Sequence, residues 1–255
     1  MSKNKIIHMS DIHIGNPVGR FAKIRSLFSS TLRANQKNLR VLVDHITAHQ
    51  DPSTCVVVIT GDLVDNGSQS ELDAAADELS YLVAHGFELH IQPGNHDVGR
   101  SGLFWSKRRS QRHRYCVKDL TGFGSWPYTV EYGDWNLVCL DSTIKTKSPL
   151  SMAQGDIGGQ QIPYLAARPP SVHTVIALHH SPLGGHPLLR LRDRREFQAL
   201  TNRDRYRCIY GHLHKRAHFY STDAHCEMIA ADASTESMSY QIVCPLSGEV
   251  EVVYV

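Results

Sequence analysis

The chain has 255 residues, 41% of them hydrophobic and 20% charged, which suits a soluble protein with a sizeable core and excludes a disordered or fibrous one. Its 27 Lys and Arg against 25 Asp and Glu leave a formal charge of +2, too small for a protein whose whole surface coats nucleic acid. The unusual number is 16 histidines, and where they fall carries the functional reading.

In chain order, residues 6–9 form a short aliphatic run that ends in polar residues and predicts a buried strand. Leu39, Leu42, Val43 and Ile46 keep helical spacing before a second strand at 56–60. Leu72, Ala75, Ala76, Leu79 and Leu82 do the same before a third at 88–92. Runs at 128–132 and 135–140 flank Gly133-Asp134 and read as a hairpin. Strands follow at 174–178 and 207–210, then at 226–230, 240–244 and 249–255. Alternating strands and helices predict an α/β fold with sheets buried between helices. Without an internal repeat or linker, one domain over 1–255 is expected.

Two stretches depart from this rhythm. Residues 16–37 are amphipathic, with Phe21, Ile24, Leu27, Phe28 and Leu32, and residues 98–126 are basic and aromatic, with Phe104, Trp105 and Lys107 to Arg114. Both read first as surface helices with solvated charged faces. Both also follow strand ends, where α/β proteins build their sites. The six cysteines are widely spaced without a C-x-x-C pair, so buried free thiols are expected. No run approaches the ~18 apolar residues of a membrane helix. The first residues also lack the apolar segment of a signal peptide, so the cytoplasm is the expected location.

Five predicted strands end in groups able to bind metals: Asp11 and His13, Asp62, Asn95-His96-Asp97, His179-His180, and His212 and His214. One such ending is weak evidence; five in one chain are not explained by core packing. Asp-x-His and His-x-His each put two ligands on one side of an extended strand end. Glycines before Asp62, Asn95 and His212 permit close backbone approach. A pair of ions ~3.5–4 Å apart needs a bridging carboxylate, several neutral ligands and open positions. Mixed oxygen and imidazole donors suit Mn, Fe or Zn better than Ca.

This ordered pattern, D-x-H, G-D, G-N-H-D, H and G-H-x-H between Asp11 and His214, resembles the calcineurin-like metallophosphoesterase superfamily. Leu140-Asp141-Ser142, Gly158-Gly159-Gln160-Gln161 and Tyr164-Leu165 make it most similar to class III cyclic-nucleotide phosphodiesterases. The resemblance implies two mixed β-sheets packed as a sandwich, flanked by helices, with two metal ions at one edge. It assigns Asp11, His13 and His214 to one ion and Asn95, His179 and His212 to the other, with Asp62 bridging. It chooses His179 over His180 and leaves His180 to pack or to touch substrate. His96 then protonates the leaving oxygen or holds the phosphoryl group, and Asp97 orients it. The implied cofactors are Mn, Fe, Zn or Mg, and the implied chemistry is in-line attack by a metal-bridging hydroxide on a small nucleotide-like phosphodiester, cyclic nucleotides included. Nuclease or phosphomonoesterase activity is the alternative, to which the Lys107–Arg114 and Arg190–Arg195 clusters lend phosphate contacts. A non-catalytic interaction scaffold is disfavoured because every ligand type is present. Dimers occur among similar phosphodiesterases. His8, His45, His49, His85, His90, His113, His173, His186, His218 and His225 lie outside the pattern and read as ordinary surface histidines; His186 lies near enough to the pattern to line a pocket.

Overall fold

A computed structural model describes residues 3–15, 31–99, 105–143, 153–167, 173–182, 189–201, 206–222 and 226–255. Its elements in chain order are β1 (Lys5–Met9), α1 (Thr31–His49), β2 (Cys55–Ile59), α2 (Gln69–Ala84), β3 (Glu88–Ile91), α3 (Asn95–Val98), α4 (Lys107–Thr121), β4 (Tyr128–Glu131), β5 (Trp135–Cys139), α5 (Gly158–Ala166), β6 (His173–Ala177), α6 (Arg194–Thr201), β7 (Tyr206–Tyr210), β8 (Ala217–Ser221), β9 (Cys226–Ala230), α7 (Ser234–Ser237), β10 (Ser239–Val243) and β11 (Val250–Tyr254). They build two mixed sheets, ordered β11-β10-β1-β2-β3 and β4-β5-β6-β7-β9-β8. This is the expected sandwich of mixed sheets between helices.

Alternation along the strands sorts the core into layers. Ile7, Met9, Val57 and Ile59 pack outward against Leu39, Leu42 and Ile46 of α1 and Leu72 and Leu79 of α2. Ile6, Val56 and Val58 turn inward and meet Leu137, Val175 and Ile209 of the second sheet. That sheet's outer face, through Val138, Ile176 and Cys208, packs on Leu165 and Phe197 of α5 and α6. Strands buried on both faces need apolar residues at every position, which is why these runs are continuous rather than alternating in sequence.

β1, β2 and β3 run parallel, as do β5, β6, β7 and β9, so their carboxyl ends share one edge in each sheet. The hairpin at Gly133 forms as expected, with the Tyr132 amide donating to the Trp135 carbonyl at 2.9 Å. β8 and the short α7 lack a readable pattern in the sequence. Of the amphipathic stretch 16–37, α1 accounts for the part from Thr31 onward; residues 16–30, with Phe21, lie outside the described residues, as do Phe104, His186 and His225. All six cysteines are free, four of them buried and Cys116 and Cys244 half-buried. Among the described residues no helix is long and apolar enough to cross a membrane.

Three histidines expected at the surface are fully buried: His8, His90 and His113. His8 and His90 sit on inward-facing strand positions between the sheets. His8 Nε2 lies 2.9 Å from Thr60 Oγ1, and His90 Nε2 lies 2.8 Å from Tyr132 OH. His8 and His90 are tolerated because neighbours from distant parts of the chain complete their hydrogen bonds; His113 has no hydrogen-bond partner among the described residues, with Nε2 3.5 Å from Asp97 Oδ2.

Candidate metal centre

The two carboxyl-end edges are tied to each other by the residues the sequence singles out. The His212 amide donates to Asp11 Oδ2 at 2.9 Å, and His179 Nδ1 lies 2.8 Å from the Thr60 carbonyl oxygen. Each bond joins one sheet to the other. Ser10 Oγ donates to the same Asp11 oxygen at 2.7 Å, leaving Oδ1 to face the imidazoles.

Two clusters result. Asp11 Oδ1 lies 3.2 Å from His214 Nε2 and 3.8 Å from His13 Nε2, and those two imidazole nitrogens are 3.0 Å apart. In the second cluster His179 Nε2 lies 3.1 Å from both Asn95 Oδ1 and His212 Nδ1. Asp62 stands between them. Its Oδ2 is 3.7 Å from His13 Nε2 and 3.3 Å from His179 Nε2, while Oδ1 accepts the His96 amide at 2.8 Å. One carboxylate oxygen thus faces both groups.

The backbone is bent to achieve this. Asp11, His13, Asp62, His212 and His214 all have positive φ, between 48° and 72°, and Met238 is the only other described non-glycine residue that does. Left-handed conformations cost such residues of order 1–3 kcal/mol each, and they collect where function over-determines the geometry.

Electrostatics fit cations. Burial works against ionisation of Asp62, but His179, His96 and His13 around it outweigh that and hold it well below the usual carboxylate range. Burial, reinforced by His179, brings His212 down to about 4, and burial lowers His13 as well, so both are neutral imidazoles near pH 7, the form a metal takes. Burial opposes protonation of His179 too, yet Asp62 and Asp11 lift it to about 9, so a cation there competes with a proton. His212 Nε2 and His180 Nε2 are buried with no hydrogen-bond partner among the described residues. Acidic and imidazole atoms of Asp11, His13 and His214, of Asp11, Asp62 and His179, and of His179, His180 and His212 fall within 4.8 Å of one another in each set. Converging acceptors with so few donors are what an ion pair's ligand shell requires, and the residues present fit two metal ions.

His180 joins one of those sets, so the choice between it and His179 turns on what holds each ring. A carbonyl can only accept, so His179 donates from Nδ1 and presents the Nε2 lone pair inward, as metal-binding histidines do. His180 Nδ1 instead meets the Ser142 hydroxyl at 2.8 Å, which can donate as well as accept. That difference favours His179.

The orienting partner of His96 differs from expectation. Asp97 accepts the Gly94 and Val64 amides at 2.8 and 3.0 Å, with His113 Nε2 at 3.5 Å. It locks the turn that presents Asn95 and His96. His96 is held by Asp65, with Nδ1 3.0 Å from the carbonyl and 3.2 Å from the carboxylate. Burial opposes the His96 charge, but Asp62 and Asp65 overcome it and raise the group to about 9. Asp65 was missed because it stands three residues past Asp62 in a loop. The available signal was the capping box that follows it, in which Ser68 and Glu71 bond reciprocally and fix that loop against α2.

Gly94 shows how tightly the centre is packed. Its φ of −106° suits any residue, but an added Cβ would overlap the amide nitrogen and Oδ1 of Asp62. Gly94→Ala is therefore expected to displace Asp62, lower stability by about 1–3 kcal/mol and weaken metal retention. Thermal unfolding and metal content measured together check this; an unchanged metal content would contradict it.

A sandwich of two mixed sheets with carboxylate, amide and imidazole groups converging at one strand-end edge defines a dinuclear metallohydrolase-type scaffold. Residues 4–216 match the family model for calcineurin-like phosphoesterases, and the chain belongs to that family. Among solved structures it is similar to the purple acid phosphatase PPD1 of yellow lupin (Lupinus luteus) seeds, at 12% identity and a TM-score of 0.60 over 98% of this chain and 53% of that one. It is also similar to the sulfate thiohydrolase SoxB of Thermus thermophilus, at 13% identity and a TM-score of 0.53 over 99% of this chain and 56% of that one. A 5′-nucleotidase of Candida albicans follows at 12% identity and a TM-score of 0.50, covering 95% of this chain and 48% of that one. At these identities the likeness is one of fold. The chain spans about half the length of these three proteins. A search of curated proteins finds no match.

Proposed function

We propose that the chain is a metal-dependent phosphoric ester hydrolase with a dinuclear centre, acting as a phosphodiesterase on small nucleotide-like substrates. The observation that carries this reading is the position of Asp62 Oδ2, 3.7 Å from His13 and 3.3 Å from His179, where one carboxylate serves both clusters. Asp11, His13 and His214 would hold one ion and Asn95, His179 and His212 the other. When bound, the two ions supply Lewis acidity and make water a nucleophile at neutral pH. His96, anchored through Nδ1 on Asp65, turns Nε2 toward the substrate, where it stabilises phosphoryl charge and passes a proton to the leaving oxygen. Asp97 keeps its turn rigid. No protein nucleophile is required.

The diester preference rests on the class III-like residues Leu140-Asp141-Ser142 and Gly158 to Leu165 together with the modest net charge, since a monoester brings more charge and calls for more cationic partners. Matched aryl esters test it. With metal-loaded protein, kcat/KM for bis(4-nitrophenyl) phosphate is expected to exceed that for 4-nitrophenyl phosphate by at least tenfold, about 1.4 kcal/mol of transition-state binding. A monoester preferred by the same margin replaces this reading with a phosphomonoesterase.

A further inference from the structure

Two histidines that fall outside the ligand pattern stand one turn apart on α1. His45 and His49 occupy positions i and i+4, which share a face of a helix. Their rings stack, with centroids 4.1 Å apart and planes 24° from parallel. His49 is exposed and His45 half-buried, so solvent reaches both. His49 is also the last residue of α1, where the unpaired helix carbonyls favour a cation.

What holds each ring decides which nitrogen it offers. His49 Nδ1 lies 2.9 Å from the His45 carbonyl oxygen. A carbonyl only accepts, so Nδ1 carries the proton and Nε2 keeps its lone pair. His45 Nδ1 lies 3.2 Å from the Tyr240 hydroxyl, to which Gln50 Nε2 also donates at 3.2 Å. That hydroxyl can accept a second hydrogen bond, which lets His45 take the same tautomer. Neither Nε2 has a partner among the described residues. Burial, and after it His49, holds His45 below the ordinary histidine value, which keeps it neutral near pH 7. An oxygen on one nitrogen and a free lone pair on the other is how metal-binding histidines are held. An ion about 2.0–2.1 Å from each nitrogen spans about 4 Å, the separation of these stacked rings.

We propose that His45 and His49 form a peripheral metal site that takes a divalent transition-metal ion favouring imidazole, copper(II) ahead of zinc, with water completing its shell. Calcium and magnesium take oxygen ligands and gain little from two imidazoles. The ion ties the last turn of α1 together and, through His45 and Tyr240, to β10. Neither residue belongs to the ligand set around Asp62, so the pair binds its ion whether or not the chain is a phosphodiesterase. The end of α2 supplies a control. There His85 Nδ1 lies 2.7 Å from the Tyr81 carbonyl oxygen with the rings 4.1 Å apart, but the residue four positions back is tyrosine, not a second imidazole.

Copper(II) is the probe, because its unpaired electron broadens the amide resonances of nearby residues and so locates the ion. The protein is first incubated with Zn²⁺ to fill the centre around Asp62. Up to two equivalents of Cu²⁺ are then expected to broaden the amides of residues 45–50 and of Tyr240. The Kd read from that broadening is expected to rise at least about tenfold in His49→Ala and in His45→Gln, because a lone imidazole loses the second attachment. His85→Ala is expected to change neither the location nor the affinity. His49 is exposed, so its replacement should leave the fold intact, and the Tm of each variant without copper checks this. Wild-type protein with no broadening at 45–50 overturns the site. A Kd that stays within about twofold in both His49→Ala and His45→Gln overturns it as well. A centre that takes up no Zn²⁺ counts against the dinuclear reading, while the same variants still decide whether His45 and His49 hold copper.

Discussion

Asp62→Ala is expected to lower kcat/KM by at least about a thousandfold, equivalent to roughly 4 kcal/mol of transition-state stabilisation. One oxygen of Asp62 lies near an imidazole of each cluster: Oδ2 faces His13 and His179, and Oδ1 holds the His96 amide. On the proposed ligand set, its loss is expected to loosen both ions together and to free the turn that carries Asn95 and His96. The single-cluster ligands are expected to fail differently, with His214→Ala losing one ion preferentially because it lies at the partly exposed side of the first cluster. Three readouts separate these cases: bound metal per chain, turnover of bis(4-nitrophenyl) phosphate, and the rise in Tm on adding Mn²⁺. Binding to the folded state alone must raise Tm, so the rise should disappear in Asp62→Ala. A variant that keeps two ions and a tenth of its activity contradicts the bridging role.

His96→Ala is expected to leave the metals bound while lowering turnover by about a hundredfold to ten-thousandfold on a diester with a nucleoside leaving group, the usual range for positioned acid catalysis. On an aryl diester the loss should fall to about tenfold or less, because nitrophenolate leaves without a proton. The argument rests on geometry. Nδ1 is committed to Asp65, so only Nε2 remains for chemistry, and Asp65 and Asp62 together favour the charged imidazole. Asp65→Asn weakens that support while keeping the carbonyl contact, so it should reproduce part of the loss with the same dependence on leaving group. Equal losses on both diesters leave His96 a charge-stabilising role alone, and loss of metal from His96→Ala contradicts its separation from the ligand set.

Much of this was legible in the sequence because parallel strands place their carboxyl ends together. Once 6–9, 56–60, 88–92, 174–178 and 207–210 read as strands, the polar residues after each had to meet at an edge, and Asp11, Asp62, Asn95, His179 and His212 do. Residue type and spacing also set the donor chemistry, since Asp-x-His and His-x-His offer oxygen and imidazole donors from one side of a strand end. Contacts between segments far apart in the chain were not legible. Burial of His8 and His90 depends on Thr60, Gln241 and Tyr132 arriving from other strands. Asp65 rather than Asp97 meets His96 because the capped loop before α2 folds back over the turn at Gly94. The bond that orients the His179 ring comes from a carbonyl of the opposite sheet. The basic run 107–118 read as a solvated helix until its packing showed Trp105, Tyr115 and the lysines around one cavity. Local periodicity encodes each element and its buried face; the pairing of one element's side chains with another's is set only when the two sheets close on each other.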